Sequence, residues 1–112
     1  MELKDIVHQG WLYKESRFLK KWRKYIFSYI RRWVVITRTS VKTYDTQDMQ
    51  KTPTEEIPMS LCRGVKSAED YTKKQYSFLL DIGHTKFYFH AENSNQKEKW
   101  IGTLSNQKIT LR

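Results

Sequence analysis

The amino-acid sequence predicts a mainly β domain closed by one carboxy-terminal α-helix. Two observations carry that prediction. Short stretches rich in aromatic and β-branched residues alternate with polar loops at spacings that suit antiparallel strands. After Ala91 the apolar period changes, and Trp100, Ile101 and Leu104 fall on one stripe of a helix. The chain has 112 residues, enough for one domain over 1–112 with a single core, so one site or one binding face is expected.

In GWLYK (10–14), Gly10, Leu12 and Lys14 share one face, and Trp11 and Tyr13 share the other. RRWVVI (31–36) puts Arg32, Val34 and Ile36 on one side, and SVKTYD (40–45) follows a tight connection. The polar loop TQDMQKTPTEE contains Pro53; IPMSL and the segment around Val65 then read as one or two further strands. SAEDYTKKQ (67–75) reads as an exposed loop. YSFLLDI (76–82) and TKFYFHAE (85–92) flank Gly83 and His84 as a hairpin. Asn93 to Asn95 offer capping side chains for the final helix. The order is therefore about seven strands and then one helix, with no repeats, low-complexity segments or internal linkers.

Twenty-one basic against twelve acidic residues give a formal net charge of +9, which favours anionic partners. From Lys14 to Arg32 there are eight basic residues and one acid, Glu15, so +7 of the +9 lies in that stretch and the partner is expected there. Cys62 is the single cysteine, which excludes an internal disulfide and points to a reducing compartment and a buried structural thiol. His8, His84 and His90 are scattered without zinc-ligand spacing, so neither metal nor cofactor is expected. The amino terminus MELKDIVHQG has no apolar signal core and no glycine at position 2, and no run approaches the length of a spanning helix. Any membrane contact is expected from the surface, unless the chain is an excerpt of a longer one with its own anchor. Gly10, Gly64, Gly83 and Gly102 form no phosphate-cradling loop, and no nucleophilic triad or Cys and His set has recognisable spacing. The chain reads as a binding module and not as an enzyme.

GWLYK, RRWVVI, VKTYD, EEIPMSLC (55–62), the YSFLLDIGHTKFYFHAE hairpin and KEKWIGTL occur in an order that resembles a pleckstrin homology (PH) domain over essentially the whole length. Trp100 sits where that family places its helical tryptophan. The resemblance implies a seven-stranded sandwich or barrel of two nearly orthogonal antiparallel sheets, of four and three strands, with the helix plugging one corner. An amphipathic helix bearing a large aromatic is physically suited to fill such an open end. Trp100 is thus expected in the core.

The resemblance also implies a basic cup for inositol lipids, built from a lysine late in strand one and two basic residues, one apart, entering strand two. Lys14 matches the first position and Arg32 the last; both follow the inward phase of their strands. Arginine offers phosphate a bidentate fork and lysine a compact charge. Ile30 stands where the other basic residue belongs, so either Arg23, Lys24 or Arg31 substitutes or the headgroup is held less specifically. The candidate headgroup residues are Lys14, Lys20, Lys21, Arg23, Lys24, Arg31, Arg32 and Tyr44.

Between KKWRK and Arg31 lies YIFSYI, strongly apolar and without a turn former. Read with a helical period, Phe18, Leu19, Trp22, Tyr25, Ile26, Tyr29 and Ile30 share a face opposite Lys20, Lys21, Arg23, Lys24 and Ser28, with Phe27 breaking the pattern; this is the composition of an interfacial helix. Alternatively, Tyr25 to Ile30 lengthen strand two, with Tyr25, Phe27 and Tyr29 on one side. In both versions apolar residues emerge beside the cations, and Trp22, Tyr25, Ile26, Phe27 and Tyr29 are the candidates for membrane insertion. Each cation near an anionic leaflet contributes about 1 kcal/mol, and a fully buried large apolar side chain about 1.5–3 kcal/mol. Two or three inserted aromatics would rival several charges.

The expected function is a cytoplasmic, monomeric signalling module, peripheral on a membrane surface, that binds an anionic lipid headgroup, phosphoinositide or phosphatidic acid. The alternative is a PH domain whose aromatic face binds a protein. Interleaved basic and aromatic residues also occur in single-strand nucleic-acid binders, but here the charge is concentrated in one loop region, not along a groove, and no RNA-binding aromatic motif is present.

Overall fold

Two long strands organise the chain: β1 (Ile6–Leu19) and β2 (Tyr25–Thr37) pair antiparallel from Ile6↔Thr37 out to Leu19↔Tyr25. The computed structural model describes residues 5–19 and 25–110. β3 (Ser40–Tyr44) and β4 (Glu55–Pro58) continue the sheet beside β2, and β5 (Gly64–Ser67), β6 (Ser77–Asp81) and β7 (Lys86–His90) form its other half. The strand order is β4-β3-β2-β1-β7-β6-β5. The four and three strands expected as two sheets are thus the halves of one hydrogen-bonded sheet, joined where β1 meets β7 at Tyr13↔His90 and Lys14↔Phe89.

Alternation along each strand decides which residues enter the core. Leu12 on β1, Val34 and Ile36 on β2, Val41 on β3 and Ile57 on β4 meet Phe78, Leu80 and Phe89 from the second half, all nearly inaccessible to solvent. Burying each such side chain contributes on the order of 1.5–3 kcal/mol. Helix α2 (Ser94–Thr110) supplies Trp100 and Leu104 to this cluster and packs against β5, β1 and β6, the plug that the sequence predicts. Trp100 is 2% exposed; a Cβ at Gly10 would lie 3.3 Å from its ring, so the smallest residue stands where the tryptophan crosses β1. His8 meets the same ring edge-on at 4.4 Å. Asn93 Oδ1 accepts from Gln96 N (2.9 Å) and Gln96 Oε1 from Glu92 N (3.3 Å), a reciprocal cap at the start of α2. Cys62 is buried in the same core.

The connections follow turn chemistry. Thr37 Oγ1 accepts from the backbone of Thr39 and Ser40, tying the β2–β3 turn. Gly83 turns the β6–β7 hairpin at φ 94°, in the left-handed region that favours glycine. A 3-10 turn, Met59–Leu61, separates β4 from β5. The segment expected as an exposed loop at 67–75 instead contains a short helix, α1 (Glu69–Thr72). Glu69 explains this: its carboxylate accepts from Ser67 Oγ (3.3 Å), Lys97 Nζ (2.8 Å) and Tyr76 N (2.7 Å), closing the segment onto α2 and the start of β6.

Of the two readings of residues 18–30, the strand holds wherever they are described. Phe18 and Leu19 end β1 and Tyr25–Ile30 begin β2, so the interfacial helix is corrected for these positions. An isolated helix of about 12 residues is marginal in water, whereas each residue added to β1–β2 extends a ladder already in register. Residues 20–24, which carry Lys20, Lys21, Trp22, Arg23 and Lys24, lie outside the described residues.

Candidate functional site

The register places Lys14 opposite Ile30 and Arg32 opposite Leu12, so Lys14 and Arg32 are diagonal neighbours on one face. That face is core as far as Leu12 and Val34; one step along the ribbon it opens into a recess of about 170 Å3. Lys14, Glu15, Ser16, Ile30, Arg32, Thr54 and Glu55 line it. The two cations expected to hold one phosphate are therefore brought together. Lys14 is a half-buried lysine, its side chain 15% exposed, with its ammonium 5.4 Å from the Phe87 ring centre.

Both cations already have carboxylate partners. Lys14 Nζ lies 2.5 Å from Glu55 Oε1, and Arg32 Nη1 lies 3.0 Å from Asp45 Oδ1. Ile30, 36% exposed, replaces a cation with an aliphatic wall. Lys14 and Arg32 stand against Glu15, Glu55 and Asp45, so the cup carries no excess positive charge and an incoming phosphate has to displace or share with these carboxylates.

The other predicted headgroup residues divide. Arg31 alternates onto the opposite face, with its guanidinium 4.1 Å over the Trp11 ring. Tyr44 is only 3% exposed, opposite Trp33 in the register, and does not line the recess; burial, and then the Glu56 charge, push its hydroxyl pKa up. Of the predicted insertion residues, Tyr29 is half-buried at a second recess and Tyr25, Ile26 and Phe27 lie on the outer part of β2.

That second recess, of about 640 Å3, lies on the other face of the ribbon. Tyr13, Glu15 and Tyr29 come from β1 and β2, His90 from β7, and Tyr71, Thr72 and Lys74 from α1 and its exit. Tyr13 and His90 are cross-strand partners with stacked rings, 4.7 Å apart at 10°. Tyr29 meets His90 edge-on at 4.8 Å. Burial lowers the His90 pKa, a backbone hydrogen bond at Ala91 opposes that, and the Lys74 charge lowers it further. Burial and then Glu15 raise the Tyr29 hydroxyl, against a hydrogen bond with Thr72 that lowers it. Sequence reasoning missed this recess. The shared phase of Trp11 and Tyr13 marked a second aromatic face, but nothing local says that α1 folds over it.

Among the described residues, no group of three or more His, Cys, Asp or Glu side chains is placed to hold a metal ion. No described helix is long and apolar enough to cross a membrane.

Comparison with known proteins adds five findings. A family model described as "PH domain" matches residues 6–108. Pleckstrin homology domain-containing protein 1 of Arabidopsis thaliana is 33% identical over 104 residues, covering 89% of this chain and 67% of the relative. Interactor protein for cytohesin exchange factors 1 of Homo sapiens is 30% identical over 121 residues, covering 95% of this chain but only 24% of the relative. Among solved structures, the Slm1-PH domain in complex with phosphoserine superposes with a TM-score of 0.71 at 19% identity, over 94% of this chain and 97% of that one. The same domain has been solved with inositol-4-phosphate, at a TM-score of 0.64 and 19% identity over 93% of this chain and 96% of that one.

Proposed function

Because this chain belongs to the PH domain family, we propose that it is a non-enzymatic targeting module that holds a phosphorylated lipid headgroup at Lys14 and Arg32 while the tip of the β1–β2 ribbon enters the bilayer. The observation that carries the reading is the convergence of those two cations on one recess at the root of the ribbon. The Slm1-PH domain, solved in complex with phosphoserine and with inositol-4-phosphate, supports a phosphate-bearing ligand for this kind of scaffold.

The electrostatics argue for modest selectivity. With Ile30 in place of a cation and two carboxylates in attendance, the cup suits a single phosphate, as in phosphatidic acid or a monophosphorylated inositol lipid, better than a highly charged headgroup. Long-range attraction is left to Lys20, Lys21, Arg23 and Lys24, each worth about 1 kcal/mol near an anionic surface. Trp22, Tyr25, Ile26 and Phe27 supply the apolar contact; Tyr29, packed edge-on against His90, is withdrawn from that set. The module works as a monomer, peripheral on the cytoplasmic side of a membrane.

A protein partner is the second reading. It draws support from the same paired carboxylates, which weaken the cup for anions, and from the human relative whose name makes it an interactor of cytohesin exchange factors.

Flotation with neutral liposomes carrying phosphatidylserine, phosphatidic acid or single phosphoinositides separates the readings. Binding to one phosphorylated lipid above charge-matched phosphatidylserine, lost in Lys14→Glu with Arg32→Glu, supports a headgroup cup. Equal binding to all anionic lipids reduces it to a nonspecific surface binder, and no binding favours the protein partner.

A further inference from the structure

The hydroxyls of the β3–β4 connection (45–54) and its flanks divide into engaged and free. Thr43 Oγ1 and Thr54 Oγ1 share a hydrogen bond at 2.6 Å, Thr54 Oγ1 also donates to Thr43 O at 3.1 Å, and Thr46 Oγ1 accepts from Asp48 N at 3.2 Å. Thr52 is different. It is exposed, outside any turn or ladder, and its hydroxyl makes no hydrogen bond among the described residues. Pro53 follows it, so sterics favour extended backbone at Thr52, and the next residue has no N–H to donate. The chain's other proline, Pro58, follows Ile57, so Thr52 is the single Ser or Thr in the sequence that precedes a proline.

That free hydroxyl stands near the rim of the cup. β3 and β4 pair as far as Thr43↔Glu55, and Thr54 N donates to Thr43 O at 2.7 Å, so the returning chain runs beside the end of β3. Just past that end is Asp45, which holds Arg32. Two and three residues after Thr52 come Thr54 and Glu55, which line the cup, Glu55 as the partner of Lys14. The Asp45 side chain is 71% exposed, so its pair with Arg32 is screened by solvent and open to competition. A phosphate carries about −1.5 to −2 charge and three strong acceptor oxygens for the guanidinium fork. Asp45 meets that fork at Nη1.

We propose that Thr52 is a phosphorylation site that turns the cup off, modified by a protein kinase whose active site takes an extended acceptor followed by proline. Thr52 Oγ1 attacks the γ-phosphorus of ATP, the bond from that phosphorus to the β–γ bridging oxygen breaks, ADP leaves, and the hydroxyl proton passes to the base of the kinase. The new phosphate takes Arg32 from Asp45 and sets its own charge against an incoming headgroup. The effect on lipid rests on the reading of Lys14 and Arg32 as a headgroup cup; the modification and the capture of Arg32 do not.

The test treats the whole chain with ATP and a proline-directed serine/threonine kinase and locates the phosphate by fragment masses. One phosphate at Thr52, absent from Thr52→Val, is expected; no incorporation, or phosphate on other hydroxyls alone, would overturn the site. Because Thr52 is exposed, Thr52→Val leaves no buried void. Capture is read without lipid: the Arg32 side-chain NMR signal should shift on phosphorylation while the amides of α2 stay in place, and an unmoved Arg32 signal would overturn the switch. Flotation on vesicles carrying phosphatidic acid or a monophosphorylated inositol lipid then reads the consequence. The phosphorylated chain should bind about tenfold more weakly and Thr52→Glu, with its single charge, severalfold more weakly. Ser94→Glu adds the same charge at the exposed start of α2 and should stay within about twofold of the wild type; equal losses in the two glutamate variants would reduce the effect to net charge and overturn capture. An unmodified chain that floats on no anionic lipid would end the headgroup reading, with fragment masses and the Arg32 signal still deciding the Thr52 site.

Discussion

The two faces of the β1–β2 ribbon use neighbouring residues for different chemistry. Lys14 enters a narrow recess with Arg32, the two paired with Glu55 and Asp45, while Tyr13, one step away, lines a wide one with three further rings; Glu15 borders both. Arg31 and Arg32 part in the same way, one stacked on Trp11 and the other paired with Asp45. A cluster of charge in the sequence is therefore not a charged surface: period-two alternation divides it between faces, and pairing then decides which cations retain their field.

The largest effect should be common to both faces. Trp100→Ala removes the ring that fills the sheet's open corner and should destabilise the fold by about 3–5 kcal/mol. Thermal or urea unfolding checks this; an unchanged melting temperature would mean that the helix is not the plug described above.

Reversing Lys14 and Arg32 to glutamate should then separate the faces, reducing flotation on the preferred anionic lipid at least tenfold, since two charges worth about 1 kcal/mol each are inverted. Tyr25→Ser with Phe27→Ser tests the ribbon's tip. About a tenfold loss of liposome binding is expected with the fold intact, from two incompletely buried aromatics; retained binding would sink insertion.

Glu55→Gln sharpens the account of the cup. Removing the partner of Lys14 should strengthen anionic-vesicle binding roughly two- to fivefold, as released charge becomes available, whereas a purely structural ion pair would leave binding unchanged and lower only the melting temperature.

The smallest effect distinguishes the aromatic face by pH. Burial, then the neighbouring lysines, lower the pKa of His8 and His90 below the ordinary 6.5; at His90 the Ala91 backbone hydrogen bond partly offsets this. The unfolded chain therefore takes up protons first, and stability present above about pH 6.5 falls as pH drops toward the folded values. Glu69, held below its ordinary 4.5 by Lys97 and by Tyr76 N, loses its contribution only in more acidic solution. Urea midpoints between pH 7 and pH 5 should fall in the wild type and fall less in His90→Gln.

The strand order and the helix were legible because alternation and the change of period are local signals: Leu12, Val34 and Ile36 enter the core on the phases read from sequence, and Trp100 and Leu104 on the predicted stripe. The helix over 18–30 was not excluded locally, because an apolar run with cations fits both periods; the partner strand decided it by offering a ladder out to Leu19↔Tyr25. Helix α1 was missed because Glu69 owes its three donors to Ser67, Tyr76 and Lys97, the last on another element.

Sequence alone determined the strand order, the closing helix and the family resemblance, which follow from residue type and phase along single strands and one helix, and the resemblance in turn singled out Lys14 and Arg32. Only tertiary structure decided that Glu55 and Asp45 neutralise that pair, that Tyr44 is buried, and that Tyr71 and Lys74 close a recess against Tyr13, Tyr29 and His90. Those contacts join residues far apart in the chain, and no period or spacing within a segment encodes a distance between segments.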